Sequence, residues 1–204
     1  MNFPQNQVRV TSVTSNSKES TLYLDSHADT YVLGANALVI QDHGRPVNVL
    51  SYYPALGDRT YQTVSSVIGY NHPLKGKTYH LIIYQATSTT HLEHHLLCTM
   101  QARVNDVTIN EIPKFLASKP KNETHSIIVT DSDDPSQRLI FSLDIRGVTA
   151  YFPTRPITKG ELESSLYLSL ELTNEFMEWN PSNTTYEDQE NAMTDFRGNV
   201  IHEW

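Results

Sequence analysis

The chain of 204 residues contains one cysteine, Cys98, which excludes a disulfide framework and any zinc or iron–sulfur centre built from several thiols. A lone thiol suits a reducing compartment. Long apolar runs are also missing. Nothing approaches the ~18 consecutive apolar residues of a membrane span, and the first eight residues lack the apolar block of a secretory signal. The sequence therefore predicts a soluble, cytoplasmic protein without membrane contact, in which the Asn-x-Thr triplets at Asn122 and Asn183 are chance matches. Basic charge is scarce as well. With 15 Lys and Arg against 23 Asp and Glu, a net charge of -8 argues against nucleic-acid binding by this chain alone, because neutralising phosphates takes clustered cations.

The acidic excess is not spread evenly. Residues 1–156 carry 13 basic and 13 acidic side chains, whereas residues 157–204 carry 10 acidic ones against Lys159 and Arg197. The change falls at Pro153-Thr154-Arg155-Pro156, where two prolines fix φ and restrict the residues before them. This predicts a β body over 1–156 and an acidic helical extension with a flexible tail over 157–204.

The body reads as all-β, because its apolar runs are short, rich in Val, Ile, Tyr and Thr, and separated by Gly, Pro, Asn and Asp. Strands are expected at 7–13, 21–24, 31–33, 47–52, 60–68, 78–85, 104–109, 126–129, 138–143 and 148–152, which suits a barrel or a sandwich. Asn71-His72-Pro73-Leu74-Lys75-Gly76 has the composition of a hairpin tip. Within the body only 92–102 looks helical. In the extension, Thr158 and Glu161 have capping-box spacing, and Leu162, Leu166, Leu168, Leu172 and Phe176 suggest a helix that runs on to Asn180-Pro181.

One segment carries recognisable chemistry. In Leu22-Tyr23-Leu24-Asp25-Ser26-His27-Ala28-Asp29-Thr30-Tyr31 an apolar strand ends in a carboxylate and a hydroxyl, an arrangement that delivers an acid from the edge of a core into a cleft. Three plainer readings stand beside it. Asp25 could be a turn residue or a helix cap. Asp25, His27 and Asp29 alternate, so on an extended strand they would share a face and offer a metal a ligand set, which His91, His94 and His95 could join. Cys98 reads as a small core residue, since nothing near it in sequence supplies a base. A second Asp-Ser pair, Asp131-Ser132, is followed at once by Asp133-Asp134-Pro135 and reads as a hairpin turn between 127–129 and 139–143.

The run Leu24-Asp25-Ser26-His27-Ala28-Asp29-Thr30 resembles the active-site signature of retropepsin-type aspartic proteases, Asp-Ser/Thr-Gly-Ala after an apolar strand. Further on, His91-Leu92-Glu93-His94-His95-Leu96-Leu97-Cys98-Thr99-Met100-Gln101 is similar to the stretch that follows the protease core in copia-type LTR retrotransposon polyproteins. The resemblance covers roughly residues 21–152 and implies an acid-protease fold, expected here as a closed β barrel with short additional strands and a C-terminal helix. It also implies a homodimeric endopeptidase needing no cofactor or metal, with a polyprotein as substrate. Asp25 would be the catalytic carboxylate and Ser26 the hydroxyl that braces the pair across the dimer. His27, Ala28 and Asp29 would line the substrate. The hairpin around Tyr61 and Tyr84, or alternatively residues 47–60, would supply a flap.

The chain departs from that pattern at one position, where His27 replaces glycine. An imidazole there narrows the cleft and brings a possible cation towards Asp25. Three functions follow from the sequence: an aspartic endopeptidase, a catalytically inactive binding module of the same fold, or a metal-dependent hydrolase built on Asp25, His27 and Asp29.

Overall fold

A computed structural model describes residues 19–49, 58–130 and 138–201. Strand dominates and helix is confined to short pieces, as the β-branched and aromatic runs predict. The strands are β1 (Ser20–Asp25), β2 (Val32–Leu33), β3 (Leu38–Val49), β4 (Arg59–His72), β5 (Lys77–Ser88), β6 (His95–Cys98), β7 (Thr108–Asn110), β8 (Ser126–Thr130), β9 (Arg138–Ser142), β10 (Asp144–Arg146), β11 (Thr149–Thr154) and β12 (Leu168–Glu171). The helices are α1 (Thr99–Val104), α2 (Lys159–Leu162) and α3 (Thr185–Met193), with a 3₁₀ turn at Lys114–Leu116. Among the described residues no helix is long and apolar enough to cross a membrane.

The large sheet follows the order β10-β11-β1-β6-β2-β5-β4-β3, with β12 added to β5. Its centre is the antiparallel hairpin β4–β5, in which residues 63–70 are buried on both faces. The turn between these strands ends at Gly76 with φ 60°, as the Pro- and Gly-containing tip predicts. Among the described residues no pairing joins β10 to β3, so the path is open where a closed barrel was expected. The two outer strands explain why. β10 is three exposed residues long, while β3 is largely exposed, carries Pro46 and slips register twice, features that blunt an edge.

A second sheet, β7-β8-β9, packs on the first through Phe141, whose ring lies 4.7 Å from Tyr70 and 5.9 Å from Phe152, so both sheets share one core. Ile127 pairs with Phe141 across the antiparallel strands β8 and β9, and the Asp131-Ser132 segment expected as a turn between them lies outside the described residues. The expected strand 7–13 also lies outside them, as does the end of 47–52.

Three expectations need correction. The helix read over 92–102 is strand in its first half: His95–Cys98 pairs in parallel with Leu22–Asp25, and helix begins only at Thr99, where Cys98 Sγ accepts the Gln101 N–H at 3.3 Å. Helix also takes the start of the strand expected over 104–109, leaving β7. The long extension helix shrinks to α2. Its capping box is present, with Thr158 Oγ1 accepting from Glu161 N at 3.2 Å and Glu161 Oε2 from Thr158 N at 2.9 Å. Beyond it, Leu166, Leu168, Leu170 and Leu172 recur every second residue, which is a strand period; Leu170 packs against the core and Leu172 is buried in it. Within the expected tail lies α3.

Candidate active site

The position of Asp25 follows from the pairing of three strands. β6 lies between β1 and β2, parallel to the first and antiparallel to the second, with Asp25 opposite Cys98 and Val32 opposite Leu96. The loop from Asp25 to Tyr31 must therefore arch over the end of β6, where α1 begins. Two glutamines fasten it. Gln101 Oε1 accepts from Tyr31 N at 2.9 Å and Thr30 Oγ1 at 3.2 Å, and its Nε2 donates to Gln85 O at 3.3 Å. Gln85 itself has φ 54°, a left-handed conformation that costs a non-glycine residue on the order of 1 kcal/mol.

At the head of this loop, Asp25 Oδ1 accepts the His27 N–H at 2.9 Å and Asp25 O accepts the Ala28 N–H at 3.3 Å. Asp25 thus serves as a turn residue, and as a half-buried residue it also borders a cleft. Ser26 and His27 are exposed, with Ser26 Oγ 3.4 Å from His27 Nδ1. The cleft, of about 720 Å³, is bounded by Asp25 and residues 27–30, by 45–49 of β3, by Thr63, Gln85 and Thr87, and by 178–182. Residues 45–49 of β3 and Thr63 of β4 border it, so the expected flap segment 47–60 begins at this border and continues at 50–57 outside the described residues, while the Tyr61–Tyr84 alternative spans the central β4–β5 hairpin of the sheet. Asp25, Ser26 and His27 also border a second groove of about 980 Å³, rimmed by the exposed apolar residues Phe115, Leu116 and Val148.

A buried relay supports the strands beneath the loop. Ser20 Oγ donates to Glu93 O at 2.7 Å, so it accepts from His95 Nε2 at 3.3 Å, and His95 Nδ1 accepts the Gly34 N–H at 3.0 Å. Burial, with the His94 charge adding to it, pushes the fully buried His95 down to about 4, so the ring is neutral at pH 7. Gly34 is required beside it, since a β-carbon would lie 2.3 Å from His94 O and 2.5 Å from Leu92 O. Burial raises the Cys98 thiol, and the Asp29 and Asp25 charges reinforce that shift, consistent with a packing role.

All three residues of the alternating set, Asp25, His27 and Asp29, border the cleft, yet the turn breaks the extended geometry that would align them. Among the described residues no three His, Cys, Asp or Glu side chains are placed to hold a metal ion. Of the histidines near residue 91, His95 is buried in the relay, His94 packs edge-on against Tyr23 at 5.3 Å, and His91 is exposed.

Four site residues escaped sequence reasoning as site residues: Gln85, Gln101, Arg45 and Trp179. Gln101 sits in the similar stretch noted above, whereas nothing local marks the others. Trp179 joins the cleft from far along the chain, its Nε1 donating to Asp29 O at 2.8 Å. Comparison with family models, with curated proteins and with solved structures finds no match to this chain.

Proposed function

We propose that the chain is a retropepsin-like aspartic endopeptidase that acts as a homodimer on a retroelement polyprotein in the cytoplasm. The observation that supports this most is the placement of Asp25: it ends β1, its loop is held over an inserted strand, and it borders a cleft shared with residues 45–49 of β3. One carboxylate is half of such a site. Two held ~3 Å apart cannot both ionise, so one keeps a proton; the charged one draws a proton from water while the neutral one protonates the scissile carbonyl oxygen. The exposed Ser26 is free to brace the twin loop, and the apolar rim of Phe115, Leu116 and Val148 beside Asp25 offers area for a second copy.

The second reading, an inactive binding module, draws support from His27 in the glycine position and from the His27 amide that already engages Asp25. Cleavage of unstructured peptides at pH 5 by the full chain, with sedimentation to establish mass, separates the two. The peptidase predicts a dimer whose cleavage disappears in Asp25→Asn. A dimeric wild type that cleaves nothing leaves the binding module.

A further inference from the structure

The chain's own residues 177–179 lie against the cleft in the manner of a bound peptide. Gln85 Nε2 donates to Met177 O, and Gln85 Oε1 accepts from Trp179 N at 2.9 Å, so one side chain satisfies a carbonyl and an amide two residues apart in the same segment. Between them Glu178 pairs with Arg45, Nη1 to Oε1 at 2.5 Å, while Arg45 Nη2 holds the same Gln85 Oε1 at 3.0 Å. The Trp179 indole is buried and donates to the carbonyl of Asp29 in the loop that carries Asp25. The segment is tethered just before this point, where Tyr84 N donates to Thr173 Oγ1 at 2.7 Å and Asn174 N to Asn105 Oδ1 at 2.6 Å. Backbone groups read by one amide side chain, a charged residue read by an arginine and an aromatic ring seated against a loop carbonyl together make a sequence-selective peptide subsite.

We infer that Gln85, Arg45 and the Asp29 carbonyl form a subsite for a peptide bearing an acidic residue followed by an aromatic one, and that the chain fills it with its own Glu178-Trp179. This deepens the reading of the Asp25 cleft as a peptide site and rests on it. Trp179 dominates the selectivity, because the Arg45–Glu178 pair is solvent-exposed on the Glu178 side and exposed pairs contribute little.

The test is fluorescence polarisation with a labelled peptide of residues 174–182, added to the full chain and to Glu178→Ala/Trp179→Ala. The double variant, emptied of its own ligand, should bind at least about tenfold tighter than the wild type. Replacing Trp by Ala in the peptide should abolish the signal, and Arg45→Ala in the emptied chain should weaken binding about threefold to fivefold. Trp179→Phe, which keeps an apolar ring but loses the bond to Asp29 O, provides a second, loosened chain if complete loss of the ring prevents folding. A folded, opened chain that ignores the peptide overturns the subsite. Adding Asp25→Asn separates this from the peptidase question. Binding without cleavage by any variant keeps the subsite and removes the enzyme, whereas cleavage of other peptides by a chain whose opened form ignores this one keeps the enzyme and removes the subsite.

Discussion

Acid should weaken this protein through His95 by an amount the structure allows to be worked out. The ring is fully buried, its Nδ1 accepts from Gly34 N, and its Nε2 hydrogen is committed to Ser20 Oγ. A proton added at Nδ1 would face the Gly34 N–H with nothing to accept it. The folded-state value is therefore held near 4, against about 6.5 in the unfolded chain. Below pH 6.5 the unfolded chain takes up a proton that the folded chain refuses, so stability is fully present above that pH and is lost as pH falls towards 4. The gap of about 2.5 pH units corresponds to a loss on the order of 3 kcal/mol at pH 4, and of about 2 kcal/mol at pH 5. His72, His80, His94 and His125 are also pushed down, each chiefly by burial, and slope the same way. His95→Asn isolates the one contribution, because an amide oxygen can take the Gly34 N–H and never ionises in this range. Urea midpoints measured from pH 7 to 4 should fall more steeply for the wild type, by about 1 M more at pH 5, taking ~2 kcal/mol/M as the slope. Parallel curves for the two proteins would refute the assignment of His95 as the buried neutral ring.

Three further outcomes follow from the same loop. Gly34→Ala should cost about 3 kcal/mol or more, read as a urea midpoint, because the new methyl meets the fixed carbonyls of His94 and Leu92. Gln101→Ala should cost about 1–3 kcal/mol, since it strands the Tyr31 N–H next to a buried ring, and amide exchange at Tyr31 should accelerate more than at Val67 in the central hairpin. His27→Gly should leave stability within about 1 kcal/mol, because the side chain is exposed and its one hydrogen bond among the described residues is with Ser26, while acid cleavage rises as the cleft widens; a larger loss in thermal denaturation would mean that the imidazole holds the turn.

What could be read in advance was what local pattern encodes. The β4–β5 hairpin announces itself through β-branched runs around a Pro- and Gly-containing tip, and the strand ending at Asp25 through Leu22 and Leu24 ahead of a polar turn. The capping box at Thr158 and Glu161 was legible for the same reason: both partners lie within one turn. The errors came where long-range pairing overrode a helical pattern. His95–Cys98 would serve a helix equally well until β1 and β2 are present to flank it. Leu162, Leu166 and Phe176 fit a helix only if the every-second-residue leucines up to Leu172 are discounted, and docking beside β5 decides for the strand period. Trp179 reaches Asp29 across 150 residues, a contact that no window of sequence contains.

The same long-range contacts bear on what His27 does to the site. A glycine is indispensable only where φ is positive or where a β-carbon collides. Among the described residues the non-glycine positions with positive φ are Gln85, Asp106 and His125, and His27 is not one of them. The turn therefore accepts the imidazole without backbone strain, and no conformational objection to histidine arises at this position. What remains is steric and electrostatic, and it acts on the open side of the loop, because the closed side is already fixed by Gln101, Gln85 and Trp179. An exposed side chain beside the carboxylate can turn away when a peptide or a second loop arrives, at the cost of rotamer freedom alone, about 1 kcal/mol. That is small against the barrier reductions that positioned carboxylates deliver, so His27 should modulate the rate of a dimeric enzyme rather than decide whether it has one.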